Sequence, residues 1–528
     1  MSRTFLLGID VGTTSTKVSL CDPDGKVIAE VSEDQHLESR HSGWSEEDPN
    51  QWWENAVRGI QKNLVVSKVD PSEIKGIGVT GMVPAMVLLN QGVPLRPSIQ
   101  QNDARAWKEI EWMKTELDEG WVFERTGGSI NQQTLGPKLK WLEKHEPNTF
   151  SRIQAIVGSY DYVNYRLSGT LSLEENWALE SGLYDIAKRD WIDELLKLVN
   201  IEREQLPQVY QPHEIVSHVS RHASQLTGLC EGTPIVAGCA DHVASAVMAG
   251  IREEGDVLIK LGSAGDILFC LDTFDTDPRL FIDYHTIPGK YLINGCMATS
   301  GSIVNWFVNE FCSSESEEAK CRQESAFEAM DKRVEDLPPG PTDLILLPYF
   351  LGEKTPLMDP LARGVLFGLS LHHRKEHVYK AILEAVGYGF QHHIETLSEK
   401  GHKAKKIVVR NGGARSKLWA RIAADIIGQD IHYISKHQGS ALGAAFVAGM
   451  GVNCFSKWSD VERFIHIDAV ISPDHQRHVQ YAKCFDLYKA LYLDLKNRFV
   501  QLESLRTHEN KQSDYSDNRD NRILNRGR

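Results

Sequence analysis

Asp10 closes an apolar stretch, FLLGID, and is followed after Val11 by Gly12, Thr13 and Thr14. A glycine and two threonines at a hairpin tip offer backbone N–H groups and two hydroxyls able to wrap phosphate oxygens, with Lys17 close by as positive charge. At the strand end, the Asp10 carboxylate suits Mg²⁺ held through water. The same residues also suit a plain β-turn whose aspartate bonds its own backbone. Neither G-x-x-x-x-G-K-[ST] nor G-x-G-x-x-G after a strand is present, so a phosphate site here is of the hairpin type. A second such tip is offered by Gly262, Ser263, Ala264 and Gly265, and two tips facing each other would clamp a polyphosphate from both sides.

In PIVAGCADHVASAVMAG an apolar strand ends in small residues and presents Asp241 before a helical run. A helix N-terminus favours negative charge, and an ionised carboxylate there can orient a hydroxyl and accept its proton; the alternative is a simple N-cap. Asn102, Asp103 and Arg105 gather amide, carboxylate and guanidinium in one loop, a set that suits several hydroxyls of a polyol or equally starts the helix at DARAW. Late in the chain, Asn411-Gly412-Gly413-Ala414 follows a strand, and paired glycines let a flat ring approach the backbone. The small residues of GSALGAAFVAGMG would pack closely under that ring or simply against another element. His372-His373 and His392-His393 lack metal-ligand spacing; as helix neighbours they point apart and read as structural.

These groups must be held by strands alternating with helices. FLLGID, VGTTSTKVSLC and VIAEVS read as a three-strand meander, and KGIGVTG, AMVLL, AIVG and PIVAG as further strands. PNQWWENAVRGIQKNL reads as a helix entered at a proline. The alternation predicts an α/β fold. Ile9-Asp10-Val11-Gly12-Thr13-Thr14-Ser15 is echoed by Ile259-Lys260-Leu261-Gly262-Ser263-Ala264-Gly265, each followed by an apolar strand. The echo predicts a duplicated domain, 1–250 and 251–495, with 506–528 a polar, disordered tail.

The size agrees, since 528 residues exceed one core at the usual ~100 to 200 residues per domain. With 41% apolar and 25% charged residues the chain is an ordinary globular protein. Its net charge of −14 disfavours nucleic acid or an acidic membrane as partner. Nine scattered cysteines without a C-x-x-C pair fit reduced thiols. A strand pattern from the first residues on, and no apolar run of the ~18 residues that span a bilayer, predict a cytoplasmic protein.

Taken in this order, the segments from about 5 to 490 resemble the FGGY family of carbohydrate kinases, in the superfamily of sugar kinases, actin and Hsp70. GVLFGLSLHHRKEHVYKAILEAVGY is similar to the family's second signature from Gly364 through Gly368, His377 and Ala381 to Glu384. The first signature is matched in part by Lys138, Leu139 and Trp141 of LGPKLKWLEKHE, with Leu135 where a small or hydroxyl residue is usual.

The resemblance implies two ribonuclease-H-like domains of the actin/hexokinase/Hsp70 kind around a central cleft, the first mainly for sugar and the second mainly for ATP. It implies Asp241 as catalytic base, Asp10 for Mg²⁺, and Thr13, Thr14, Gly262, Ser263 and Gly301 as phosphate contacts. Gly412, Gly413 and Ala414 would hold adenosine, and Met82, Val83, Asn102, Asp103, Asp241 and His242 the sugar. Lys17 on a phosphate is our own addition. WSEEDPNQWW, QNDARAW, GEKTP and NGGARS look closest to xylulokinase-like members, which usually carry a Met-His pair where this chain has Met82-Val83 and often a Trp where it has Gln101. The implied activity is therefore ATP-dependent phosphorylation of a small sugar, a xylulose- or ribulose-like ketopentose. Another polyol, a branched ketose or a sugar-like signal molecule are alternatives, as is a non-catalytic ATPase or sugar sensor. A homodimer is the assembly allowed for.

Overall fold

The structure, a computed structural model, describes residues 3–411, 416–435 and 439–523, without side chains at 411 and from 506 on. Two compact units interleave along the chain. The first holds 1–256, 268–294 and 438–466, and the second 257–267, 295–437 and 467–528.

The first unit is built on a seven-stranded sheet of β1 (Phe5–Val11), β2 (Ser15–Cys21), β3 (Val27–Asp34), β4 (Ile74–Gly81), β5 (Ile215–His218), β6 (Pro234–Val236) and β7 (Cys239–Ala240). Its order is β5-β6-β4-β1-β2-β3, with β7 also on β4. The antiparallel β1-β2-β3 meander is as expected, and β1, β4 and β7 run parallel.

Leu6, Leu7, Ile9 and Val11 are all buried, a continuous run rather than an alternation, because both faces of this sheet are covered. Helix α1 (Pro49–Ser67) starts where Asp48 accepts from Asn50 N at 2.9 Å with proline in the first turn, and ends at Lys68 in the left-handed region. Its Gly59 meets Val18 of β2, while Gly8 of β1 meets Ala441. Ile9 pairs with Val18 and Gly8 with Ser19, so α1 and the helix carrying Ala441 lie on opposite faces.

That second helix, α7 (Gly439–Gly451), is the small-residue segment. A Cβ on Gly8 would stand 1.7 Å from the Ala441 carbonyl oxygen, and one on Gly78 2.1 Å from that of Ala444. The close packing that its small residues allow is realised against the sheet, since glycines on β1 and β4 let the helix backbone sink onto it.

The second seven-stranded sheet comprises β8 (Asp256–Leu261), β9 (Gly265–Leu271), β10 (Phe281–Tyr284), β11 (Tyr291–Met297), β12 (Lys406–Asn411), β13 (Ile431–Ile434) and β14 (Ala469–Ile471), ordered β10-β11-β9-β8-β12-β13-β14. β8 and β9 take the place in the echo that β1 and β2 take at the start, so both tips connect two strands.

In the second unit the long helix α5 (Lys375–Glu399), which helix α6 (Lys417–Ile427) follows, carries the end of the second signature. Glu384 is fully buried and accepts from Thr342 N at 3.1 Å, Thr342 Oγ1 at 2.7 Å and Tyr481 OH at 3.1 Å. The most specific motif of the sequence is thus an anchor of the fold. His372 and His373 correct the sequence reading: they precede α5 in a loop, and their rings lie 4.0 Å apart instead of diverging. The final helix α8 spans His475–Ile523, and 524–528 lie outside the described residues. No helix among the described residues is long and apolar enough to cross a membrane.

Candidate active site

The carboxyl ends of three parallel strands assemble the first unit's chemistry, the usual place for a ligand in an α/β sheet. Asp10 pairs with Thr80 and Thr80 with Cys239, while Val11 pairs with Gly81 and Gly81 with Ala240. Thr80 Oγ1 donates to the Cys239 carbonyl at 2.6 Å and locks β4 to β7. Asp10, Met82 and Asp241 consequently emerge together, although 231 positions separate the first from the last.

Asp241 opens helix α3 (Asp241–Met248), whose N-cap is Ala240, so it is a first-turn residue rather than the capping group. Its side chain is 43% exposed, open enough to meet a substrate. His242 beside it is 13% exposed, with Nδ1 3.5 Å from Asp241 Oδ1 and Nε2 3.0 Å from Asp283 Oδ2 and 3.8 Å from Glu180 Oε1. Burial opposes charge on this ring, but Asp283, Asp241 and Glu180 outweigh it and raise the imidazole well above its ordinary value. Burial, reinforced by Asp283, pushes the Glu180 carboxyl well up.

Glu180 ends helix α2 (Glu175–Glu180), and Asp283 lies on β10, docked where Asn176 Oδ1 accepts from Tyr284 N at 2.7 Å and Asn176 Nδ2 donates to Tyr284 O at 3.0 Å. Sequence reasoning missed both acids; neither ALESG nor FIDYH has a pattern that separates them from ordinary carboxylates.

The first tip is exposed at Thr13 and Thr14 and closed by Gly12 N donating to Ser15 O at 3.1 Å. Asp10 accepts a hydrogen bond from Ser440 Oγ at the start of α7. Lys17 lies 3.7 Å from Glu30, which shares its charge. Met82 and Val83 are buried, and Met82 O accepts from Ser159 Oγ at 2.8 Å.

Asn102 is exposed, but Asp103 beside it is not. The Asp103 carboxylate accepts from Ser45 N at 2.6 Å, Arg105 N at 3.0 Å, Arg105 Nε at 2.8 Å and Arg105 Nη2 at 2.7 Å. Its carboxylate thus anchors the loop that also carries Asn102. Lys138 donates to the Gln100 carbonyl at 2.8 Å beneath the same loop, and burial lowers its amine to about 7.

In the second unit, Ser263 is exposed at the tip between β8 and β9. Ser300 N, Gly301 N and Ser302 N donate to Ser263 O, Gly262 O and Ser263 O at 2.9, 2.7 and 3.1 Å, clamping the tip to the start of helix α4 (Gly301–Phe311). A Cβ on Gly301 would lie 2.6 Å from Gly262 O. The Gly301 N–H therefore holds the tip against the start of α4. Gly412, Gly413 and Ala414 lie outside the described residues.

Residues 5–248 match the FGGY family of carbohydrate kinases, N-terminal domain, and 279–452 its C-terminal domain. A protein named xylulose kinase from Bacillus subtilis (strain 168) is 30% identical over 95% of this chain and 99% of its own. The crystal structure of xylulose kinase from Rhodospirillum rubrum shares 39% identity over 94% of this chain and 99% of that one, with a TM-score of 0.88. That of gluconate kinase from Lactobacillus acidophilus shares 25% over 95% of this chain and 100% of that one, with a TM-score of 0.87. The two-unit α/β architecture and the spread of the match over both units lead to one conclusion: this chain belongs to the FGGY family of carbohydrate kinases and is a sugar kinase.

Proposed function

We propose that this kinase transfers the γ-phosphoryl group of ATP to a hydroxyl of a ketopentose, xylulose or a close isomer, with Asp241 as general base. The carrying observation is the half-exposed Asp241 carboxylate at the carboxyl ends of the parallel strands, in the first turn of a helix. Asp241 accepts the hydroxyl proton as the oxygen attacks the γ-phosphorus, and the bond to the β,γ-bridging oxygen breaks to release ADP. Asn102, exposed in its loop, is available to the sugar, and Asp103 holds that loop in place.

The oxygen-rich set of Asp10, Thr13 and Thr14 fits Mg²⁺, a hard cation that prefers oxygen ligands and keeps several waters. When bound it would neutralise charge on the phosphates. Ser263, exposed on a tip clamped by α4, offers a hydroxyl to the nucleotide in the second unit.

A ketopentose is favoured by the xylulose kinases that match over 99% of their own length. The gluconate kinase shares the fold about equally, so the sugar is chosen by side chains such as Val83 and Gln101 and not by the architecture. ADP release with Mg-ATP over ketopentoses, ketohexoses, branched sugars, polyols and gluconate, with Asp241→Asn in parallel, tests this. The expected result is a strong response to one ketopentose, lost by more than ~100-fold in the variant. Slow hydrolysis indifferent to every sugar would favour the ATPase or sensor alternative.

A further inference from the structure

His242, implied by resemblance as a sugar contact, has both ring nitrogens turned to carboxylates: Nδ1 3.5 Å from Asp241 Oδ1, and Nε2 3.0 Å from Asp283 Oδ2. A ring so engaged has no nitrogen left for a sugar hydroxyl. Asp283 is 2% exposed in its side chain and is fixed through its neighbour Tyr284, held at both backbone groups by Asn176. The ring therefore has a rigid support on one side and the proposed base on the other.

We infer that His242 is a positioning residue, an imidazolium anchored by Asp283 that orients one oxygen of Asp241 and leaves the other to the sugar hydroxyl. The inference rests on the reading of Asp241 as base. A positive ring beside that carboxylate favours its charged form and opposes its rotation. The charged and titratable groups facing the ring are Asp241 on α3, Asp283 on β10, Glu180 on α2 and Glu174 at the cap of α2. Burial pushes the Glu180 carboxyl well up and that of Glu174 up to about 7, while Asp283 and Asp241 are the two carboxylates nearest the ring nitrogens. Asp10, on β1 and two strands from β7, is a further carboxylate at this end of the sheet.

The test measures kcat and sugar KM from pH 5.5 to 9 on the full-length chain, using the best sugar of the panel, for wild type, His242→Gln, Asp283→Asn and Asp241→Asn. Without the imidazolium, the acid-side midpoint of kcat/KM should rise by about one pH unit, and kcat should fall most at the acid end of the range, by up to about 10-fold, with less effect at pH 9. Sugar KM should change less than ~3-fold, and Asp283→Asn should act in the same direction more weakly. An unmoved profile in His242→Gln, with Asp241→Asn inactive, overturns the positioning role and leaves the base standing. A raised KM with intact kcat also overturns it and returns His242 to sugar contact. An active Asp241→Asn removes the base and this inference together.

Should His242→Gln fail to fold, ¹⁵N-histidine NMR of the wild type decides, the His242 signal being assigned by its shift in Asp283→Asn. Both ring nitrogens protonated at pH 7.5 supports the imidazolium; a ring that titrates near the free-histidine value of ~6.5 overturns it.

Discussion

Ser440 donates its hydroxyl hydrogen to the Asp10 carboxylate across 430 positions of sequence, so the start of α7 sets the orientation of the group proposed to hold Mg²⁺. Outer-shell partners of this kind commonly change metal affinity by ~10-fold or more. Ser440→Ala should accordingly raise the Mg²⁺ concentration for half-maximal rate about 10-fold, and Asp10→Asn should raise it further. The check is a Mg²⁺ titration of sugar-dependent ADP release at saturating ATP. An identical curve in both variants would remove the metal from Asp10.

The approach of α7 to the sheet leaves no room for a methyl group on β1. With a Cβ only 1.7 Å from the Ala441 carbonyl, Gly8→Ala must push helix and strand apart, and a loss of about 3 kcal/mol or more is expected. Gly128 has open space around it, so Gly128→Ala serves as the tolerated control. Urea unfolding of the two variants measures the contrast, and equal midpoints would refute the packing.

Asn102 and Asp103 are neighbours with opposite expected phenotypes. Asn102→Ala should raise the sugar KM about 10-fold at unchanged thermal midpoint, because it removes a polar contact from an exposed side chain. Asp103→Ala leaves the buried Arg105 with less compensation and should destabilise by about 3 kcal/mol. Thermal scans and steady-state kinetics on the same preparations separate the two effects; a stable Asp103→Ala with raised KM would restore it as a ligand.

Burial pushes the Glu384 carboxyl up to about 7, above its ordinary 4.5. Between these values the folded chain binds more protons there than the unfolded chain, so the contribution is fully present below about pH 4.5 and is lost as pH rises through about 7. Glu384→Gln should flatten the decline by on the order of 1 to 3 kcal/mol between pH 5 and 8. Denaturant unfolding at pH 5, 6, 7 and 8 reads this directly. Parallel curves for variant and wild type would show that Glu384 is not the titrating group.

Local pattern alone determined the α/β class, the strand-tip-strand units at Gly12 and Gly262, the proline start of α1, and Asp241 in the first turn of a helix. These features arise from hydrophobic periodicity and from glycine and proline geometry within about ten residues, so neighbouring letters carry them. What the tertiary structure decided concerns partners far apart in sequence. Asp103 and Asn102 read alike, yet one is clasped by Ser45 and Arg105 while its neighbour faces water. The small residues of the helix carrying Ala441 signal close packing, but the glycines that receive it are Gly8 and Gly78, at the other end of the chain. His242 follows the base in sequence and reads as a sugar contact, and only packing brings Asp283 of β10 to its far nitrogen. A carboxylate's task follows from its burial and its donors, and these are fixed by packing, a long-range property that adjacent residues do not encode.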